Sequence, residues 1–219
     1  MNYLPGILVV LIGIMVPRSM MAQEKNHHEP QKIVIGFEAA SDAWEMTDPE
    51  AWKIEDGRLK LFRKASNYQP EVRSPRHIAW LKDKTFGSFQ LDVKVLSTEA
   101  DYNHRDACLF FGYQSPTQFY YVHFGKQADP HANQIFIVNN AARTKISLTT
   151  TEGTPWDDQW HNVRLVRDIE SGDIQVFFDD MKTPAMTAND KTFGGGRIGL
   201  GSFDDIADFD ELTISGLDP

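Results

Sequence analysis

Residues 89–95 read Phe-Gln-Leu-Asp-Val-Lys-Val, with Phe89, Leu91, Val93 and Val95 alternating against Gln90, Asp92 and Lys94. A period of two places the four apolar side chains on one face of an extended segment, so this is a half-buried β-strand. The pattern recurs downstream. Val163 and Leu165, with Trp160 ahead of them, alternate with Asn162 and Arg164, and Ile174, Val176 and Phe178 form another run closed by Asp179-Asp180. Further strands are predicted at Ile33–Phe37, Arg58–Phe62, Ile78–Leu81, Ile198–Gly201 and Phe209–Ile214. Turn signals at Asp56-Gly57, Ser115-Pro116, Asp129-Pro130, Ser171-Gly172 and Gly194-Gly195-Gly196 separate them. No window of a dozen residues sustains a helical period. The expectation is an all-β fold, an antiparallel two-sheet jelly-roll sandwich.

The apolar run Leu4–Val16 is shorter than the about 20 residues a membrane span requires. It reads as the core of a signal peptide over residues 1–22 ending at Ala22, with an uncleaved anchor as the alternative. Residues 23–31 are polar and form a flexible lead-in, and residues 32–219 form a single sandwich domain. This reading makes the protein secreted or periplasmic, with no stable membrane insertion after cleavage. Cys108 is the only cysteine, so no disulfide closes within the chain, and its apolar neighbours suit a buried thiol. The net charge of −9 argues against a nucleic-acid partner, which needs a basic face.

Three strand-like segments carry an unusual density of polar side chains: Phe119–Phe124 (FYYVHF), His131–Val138 (HANQIFIV), and His104-Arg105-Asp106 leading into Ala107–Phe111. If Val122 and Phe124 point into the core, Phe119, Tyr121 and His123 share the opposite face. His131 and Asn133 share one face of their predicted strand, with Gln134 on the other, and His104 shares a face with Asp106. Amides, imidazoles and aromatic rings together suit the hydroxyls and the C–H faces of a sugar. The expected partner is therefore a carbohydrate.

The order of features is familiar. Gly36-Phe37-Glu38 precedes Trp52-Lys53-Ile54-Glu55-Asp56-Gly57; Phe86–Leu91, Trp160–Leu165, Asp173–Asp180, Gly196–Gly201 and Ala207–Leu212 follow. As an ordered set this resembles the concanavalin A-like lectin/glucanase superfamily, and within it secreted bacterial 3-keto-disaccharide hydrolase-like domains. The resemblance implies one concave sheet, on which glycans are usually bound. It also implies a structural calcium between the first and last strands, for which Glu38, Asp208 and Asp210 are the candidate ligands; the alternative is that they are edge carboxylates that deter strand pairing.

A retaining glucanase of that superfamily carries Glu-x-Asp-x-x-Glu. Here the nearest match, Glu99-Ala100-Asp101-Tyr102-Asn103-His104, ends in His, which argues against that chemistry. Cleavage of a keto-glycoside needs a base beside the ketone and an acid or divalent metal to stabilise the enolate. His104 and Asp106 are the candidate metal-binding or acid/base pair, with His123 as the complementary proton carrier. Arg105, Tyr121, His131, Asn133 and Gln134 are candidate substrate contacts, and Arg105 and Arg76 are open between clamping an acidic glycan and ordinary ion pairing. A non-catalytic glycan-binding module is the alternative function. Trp156 is open between an exposed stacking ring and the core, and His161 reads as framework.

Overall fold

The computed structural model describes residues 31–37 and 41–216. Residues 1–30, which hold the expected signal peptide and nearly all of the lead-in, lie outside that range, as does Glu38. The strands of the first half are β1 (Gln31–Ile35), β2 (Trp44–Met46), β3 (Trp52–Glu55), β4 (Arg58–Leu61), β5 (His77–Leu81), β6 (Phe89–Ser97), β7 (Cys108–Ser115) and β8 (Gln118–His123). The second half continues with β9 (Gln134–Asn139), β10 (Thr144–Lys145), β11 (Ser147–Thr150), β12 (His161–Arg167), β13 (Asp173–Phe178), β14 (Met186–Asn189), β15 (Arg197–Ser202) and β16 (Ala207–Gly216). No helix among the described residues is long and apolar enough to cross a membrane.

Two antiparallel sheets form. The larger runs β11-β14-β13-β12-β6-β16-β4-β3, with β1 also paired to β16; the smaller runs β10-β9-β8-β7-β15-β5-β2. They face each other as the jelly-roll sandwich that the alternating strands require. Leu91, Val93 and Val95 of β6 and Val163 and Leu165 of β12 enter the core from one sheet; Leu109, Tyr120, Val122, Ile135 and Leu200 enter from the other. Each such fully buried apolar side chain contributes roughly 1.5–3 kcal/mol. The outer face of the larger sheet carries solvated ion pairs, Arg164 with Asp92 at 2.6 Å and Lys94 with Glu211 at 2.6 Å.

The outer face of the smaller sheet departs from the polar surface expected from the sequence. Ile78, Trp80, Cys108, Phe110, Phe119, Tyr121, Phe136 and Val138 form a second apolar layer there, with Val72, Tyr113 and Phe203 packed on it. Its rings are in contact: Tyr121 stacks on Phe136 at 5.1 Å and on Phe110 at 5.8 Å, and Trp80 meets Phe110 edge-on at 5.6 Å. Gly199 stands in register between Trp80 and Phe110. A Cβ there would come within 2.9 Å of the Trp80 ring, so glycine is what lets the two aromatics close over β15.

The connection from β4 to β5, residues 62–76, crosses this layer. The buried Asp48 carboxylate anchors it, accepting from the Asn67 amide at 2.7 Å and from Arg63 Nη2 at 3.2 Å. Further along, the Arg143 amide donates to the Arg73 carbonyl at 3.1 Å, tying the connection to the hairpin after β9. Polar groups are left at one end of the sheet, around His123.

Candidate functional site

Cys108 opens β7 directly across from His123, which closes β8. Cross-strand partners project to the same face, and Asp106 lies two residues before Cys108. The three are buried together, and one donor atom from each lies within 4.8 Å of the others. Among the described residues this is where such donors cluster in a way that can hold a metal ion. Asp106 Oδ1 accepts from Ser202 Oγ at 2.7 Å and from the Phe203 amide at 3.0 Å. Its Oδ2 faces His123 Nε2 at 3.4 Å. Burial pushes the Asp106 carboxyl up, but His123, Ser202 and the Phe203 amide outweigh it and the net direction is down. Burial holds the Cys108 thiol well above its usual range.

A second carboxylate backs the first. Asp205, fully buried, accepts from the Asp106 amide at 2.9 Å, from Tyr102 Oη at 2.7 Å and from Lys64 Nζ at 3.0 Å. Desolvation and the neighbouring Asp106 charge push it up to about 6 despite these donors. The adjacent Asp204 carboxyl is also raised, by burial and by Asp106.

Over this cluster opens a pocket of about 250 Å³ lined by Arg73, His104, His123, Asp129, His131, Ala132, Arg143, Phe203 and Asp204. His104 and His131 are exposed on loops at its rim, and His123 is 5 % exposed at its base. The Arg143 guanidinium is sandwiched between Phe203, at 4.1 Å, and Phe136, at 4.8 Å. Its Nη1 donates to the Tyr121 hydroxyl at 2.9 Å, and its Nε has no acceptor.

The structure thus brings His104, His123 and His131 to one pocket, but pairs Asp106 with His123 rather than with His104. His104 sits in the loop before β7, where strand alternation does not hold. The other expected contacts are placed elsewhere. Arg105 is 1 % exposed, and its donors go to Ser97 Oγ, the Ser97 and Asp157 carbonyls and Asp158 at 2.7–3.2 Å, stapling the loop to β6. Tyr121 is on the face expected for it but lies beneath Arg143, fully buried.

Asn133 has φ +52°, which breaks the alternation read through His131–Val138; β9 begins only at Gln134. Its buried amide is taken up by Thr150, Thr151 and Thr154. Gln134, paired across from His123, is therefore the residue on the pocket side, with Nε2 on the Asp129 carbonyl at 3.1 Å. Arg76 is exposed and its amide donates to the Phe203 carbonyl. Trp156 is in the core, donating to the Phe124 carbonyl at 2.7 Å, and His161 packs between Trp156 and Phe178 with Nδ1 on Asp179.

Of the candidate calcium ligands, Asp208 and Asp210 lie among the described residues and Glu38 does not. Asp208 stands in register with Lys60 and Asp210 with Lys94, and neither aspartate belongs to the donor cluster able to hold an ion. Calcium takes six to eight oxygens. Sequence reading missed Arg73, Arg143, Asp204 and Asp205. The one available signal was the turn-forming Asn139-Asn140 pair, which folds Arg143 back over the sheet.

No family model and no curated protein matches the chain. Solved structures do. The carbohydrate-binding module CBM66 from Bacillus subtilis superposes with a TM-score of 0.59 at 18 % identity, over 80 % of this chain and 96 % of that one. The shared fold is a concanavalin A-like jelly-roll sandwich. A lectin from Bauhinia forficata, in complex with GalNAc, gives 0.53 at 14 % identity over 86 % and 99 % of the two chains. The GH43 protein BlXynB from Bacillus licheniformis gives 0.56 at 11 % identity, over 80 % of this chain but only 37 % of that one. At these identities the concanavalin A-like likeness establishes architecture alone.

Proposed function

We propose that the protein is exported and acts on a glycan in the pocket over His123, cleaving a keto-glycoside of the 3-keto-disaccharide type by proton transfer. The observation that carries this reading is the convergence of His104, His123 and His131 on one pocket, with Asp106 fixed behind His123. Imidazoles suit proton transfer near neutral pH, and the Asp106 carboxylate behind His123 fixes that ring in place. His104 or His131, on the accessible rim, takes the proton from the carbon between the ketone and the anomeric centre. The electron pair enters the enolate, whose oxygen is stabilised by a hydrogen bond from His123. Collapse of the enolate breaks the glycosidic bond, and the leaving oxygen is protonated; addition of water to the unsaturated ketone completes hydrolysis.

The test is incubation of the purified protein with 3-keto-glycosides and with ordinary glycosides, following product release. Turnover is expected on the keto substrates only, and His123→Ala is expected to lower it by at least about 100-fold with the fold intact. A non-catalytic glycan-binding module is the second reading. It is favoured by a separate groove of about 180 Å³ on the same face, lined in part by Tyr68, Trp80, Tyr113 and Phe119, whose rings suit sugar stacking. Glycan retention that survives His123→Ala, with neither substrate set consumed, would establish that reading instead.

A further inference from the structure

We propose that Asp106, Cys108 and His123 bind one divalent transition metal of the zinc class, with its fourth coordination position open to the pocket. The inference does not depend on the glycan reading, because it rests on the donor geometry alone. Two ligands of a tetrahedral zinc, at bond lengths of about 2.0–2.1 Å, stand about 3.3 Å apart. Asp106 Oδ2 and His123 Nε2 are 3.4 Å apart, longer than an ordinary hydrogen bond and close to that separation. Cys108 supplies the third donor, and one ligand atom from each of the three residues lies within 4.8 Å of the others.

The surroundings are those of a supported ligand set. Ser202 Oγ and the Phe203 amide hold Asp106 Oδ1, which orients the carboxylate and leaves Oδ2 available. His123 is 5 % exposed, yet its Nε2 faces only the distant Asp106 carboxylate. A buried imidazole without a proper partner is costly unless something occupies the space it faces. One sulfur, one nitrogen and one oxygen donor form a borderline set that selects zinc or cobalt over calcium or magnesium. Three protein ligands with an open side are the pattern of catalytic rather than structural zinc, and here the open side faces His104 and His131. The cation would take the electrophilic place given above to His123. Binding converts the Cys108 thiol to a thiolate, so each metal bound releases one proton to solvent.

The experiment is titration of the metal-stripped protein with cobalt(II), read by absorption and by proton release, beside elemental analysis of protein loaded with zinc. About one metal per chain, a thiolate-to-cobalt charge-transfer band and release of about one proton are expected. Cys108→Ala should abolish the charge-transfer band. Ser202→Ala, which frees the Asp106 carboxylate without touching a ligand, should weaken cobalt affinity by about 10–100-fold. Should Cys108→Ala fail to fold, His123→Gln serves in its place and should abolish stoichiometric binding. No retained metal in folded protein, or cobalt bound without a thiolate band, overturns the proposal; the latter pattern would assign the metal to the exposed His104 and His131.

Discussion

Asp205 sets a measurable signature on stability. It is fully buried and its carboxyl sits at about 6 in the fold, against an ordinary 3.8. Each pKa step of one is worth about 1.4 kcal/mol, which puts the penalty on the charged form near 3 kcal/mol. The neighbouring Lys64 is half exposed and brings solvent screening with it, so about 2 kcal/mol is the working figure. The sign follows from the direction of the shift. The folded state takes up a proton as pH falls through about 6, whereas the unfolded chain does so only near 3.8. Between those values the fold binds more protons than the unfolded chain, and stability from this group rises as pH falls. Asp205→Asn removes the titration. The difference in unfolding free energy, wild type minus variant, should therefore rise by about 2 kcal/mol between pH 7 and pH 4. For a chain of this size that is about 4–8 °C in relative Tm. Paired thermal and urea unfolding at pH 4, 5, 6 and 7 measures it, with Asp106, Asp204 and Lys64 common to both proteins. A difference that is flat, or that falls toward low pH, refutes the assignment of a desolvated carboxyl at this position.

Two further perturbations test the scaffold. Arg105→Ala deletes the buried guanidinium that holds Ser97 and the Asp157–Asp158 turn, and should cost about 3 kcal/mol in urea unfolding while leaving any glycan contact made by Arg143 in place. Gly201→Ala would set a Cβ 1.9 Å from the His77 carbonyl oxygen and should prevent soluble expression or lower stability by more than about 3 kcal/mol, whereas Gly194→Ala, with nothing within 4 Å, should change stability by no more than about 1 kcal/mol.

The residues that could be read from sequence were those whose environment repeats along the chain. Phe89 to Val95 spelled out β6, and Ile174, Val176 and Phe178 spelled out β13, because one side of each strand faces a continuous core. The same alternation put Tyr121 and His123 on a common face. It could not show that this face is itself roofed, since the residues that cover it, Val72 over the apolar layer and Arg143 over Tyr121, lie outside the strands that form it. Asn133 was misplaced because a single positive φ reset the alternation just before β9. Arg73 carries no local signature of its role, and Arg143 only the Asn139-Asn140 turn ahead of it; each reaches the pocket along a loop whose path is set by tertiary contacts.

The position of β16 bears on how the protein is made. Its residues 207–216 lie in the middle of the larger sheet, pairing with β6 along one edge and with both β1 and β4 along the other. The first described strand and the last are thus hydrogen-bonded neighbours, separated by more than 170 positions. Loop closure over such spans must precede the contacts that reward it, which makes folding slow and dominated by non-local pairing. A nascent chain still lacking residues 207–216 has no centre for that sheet, and β6 presents an unpaired hydrogen-bonding edge. Native assembly therefore waits until synthesis has passed Gly216, and C-terminal truncation into this strand removes a keystone rather than a margin.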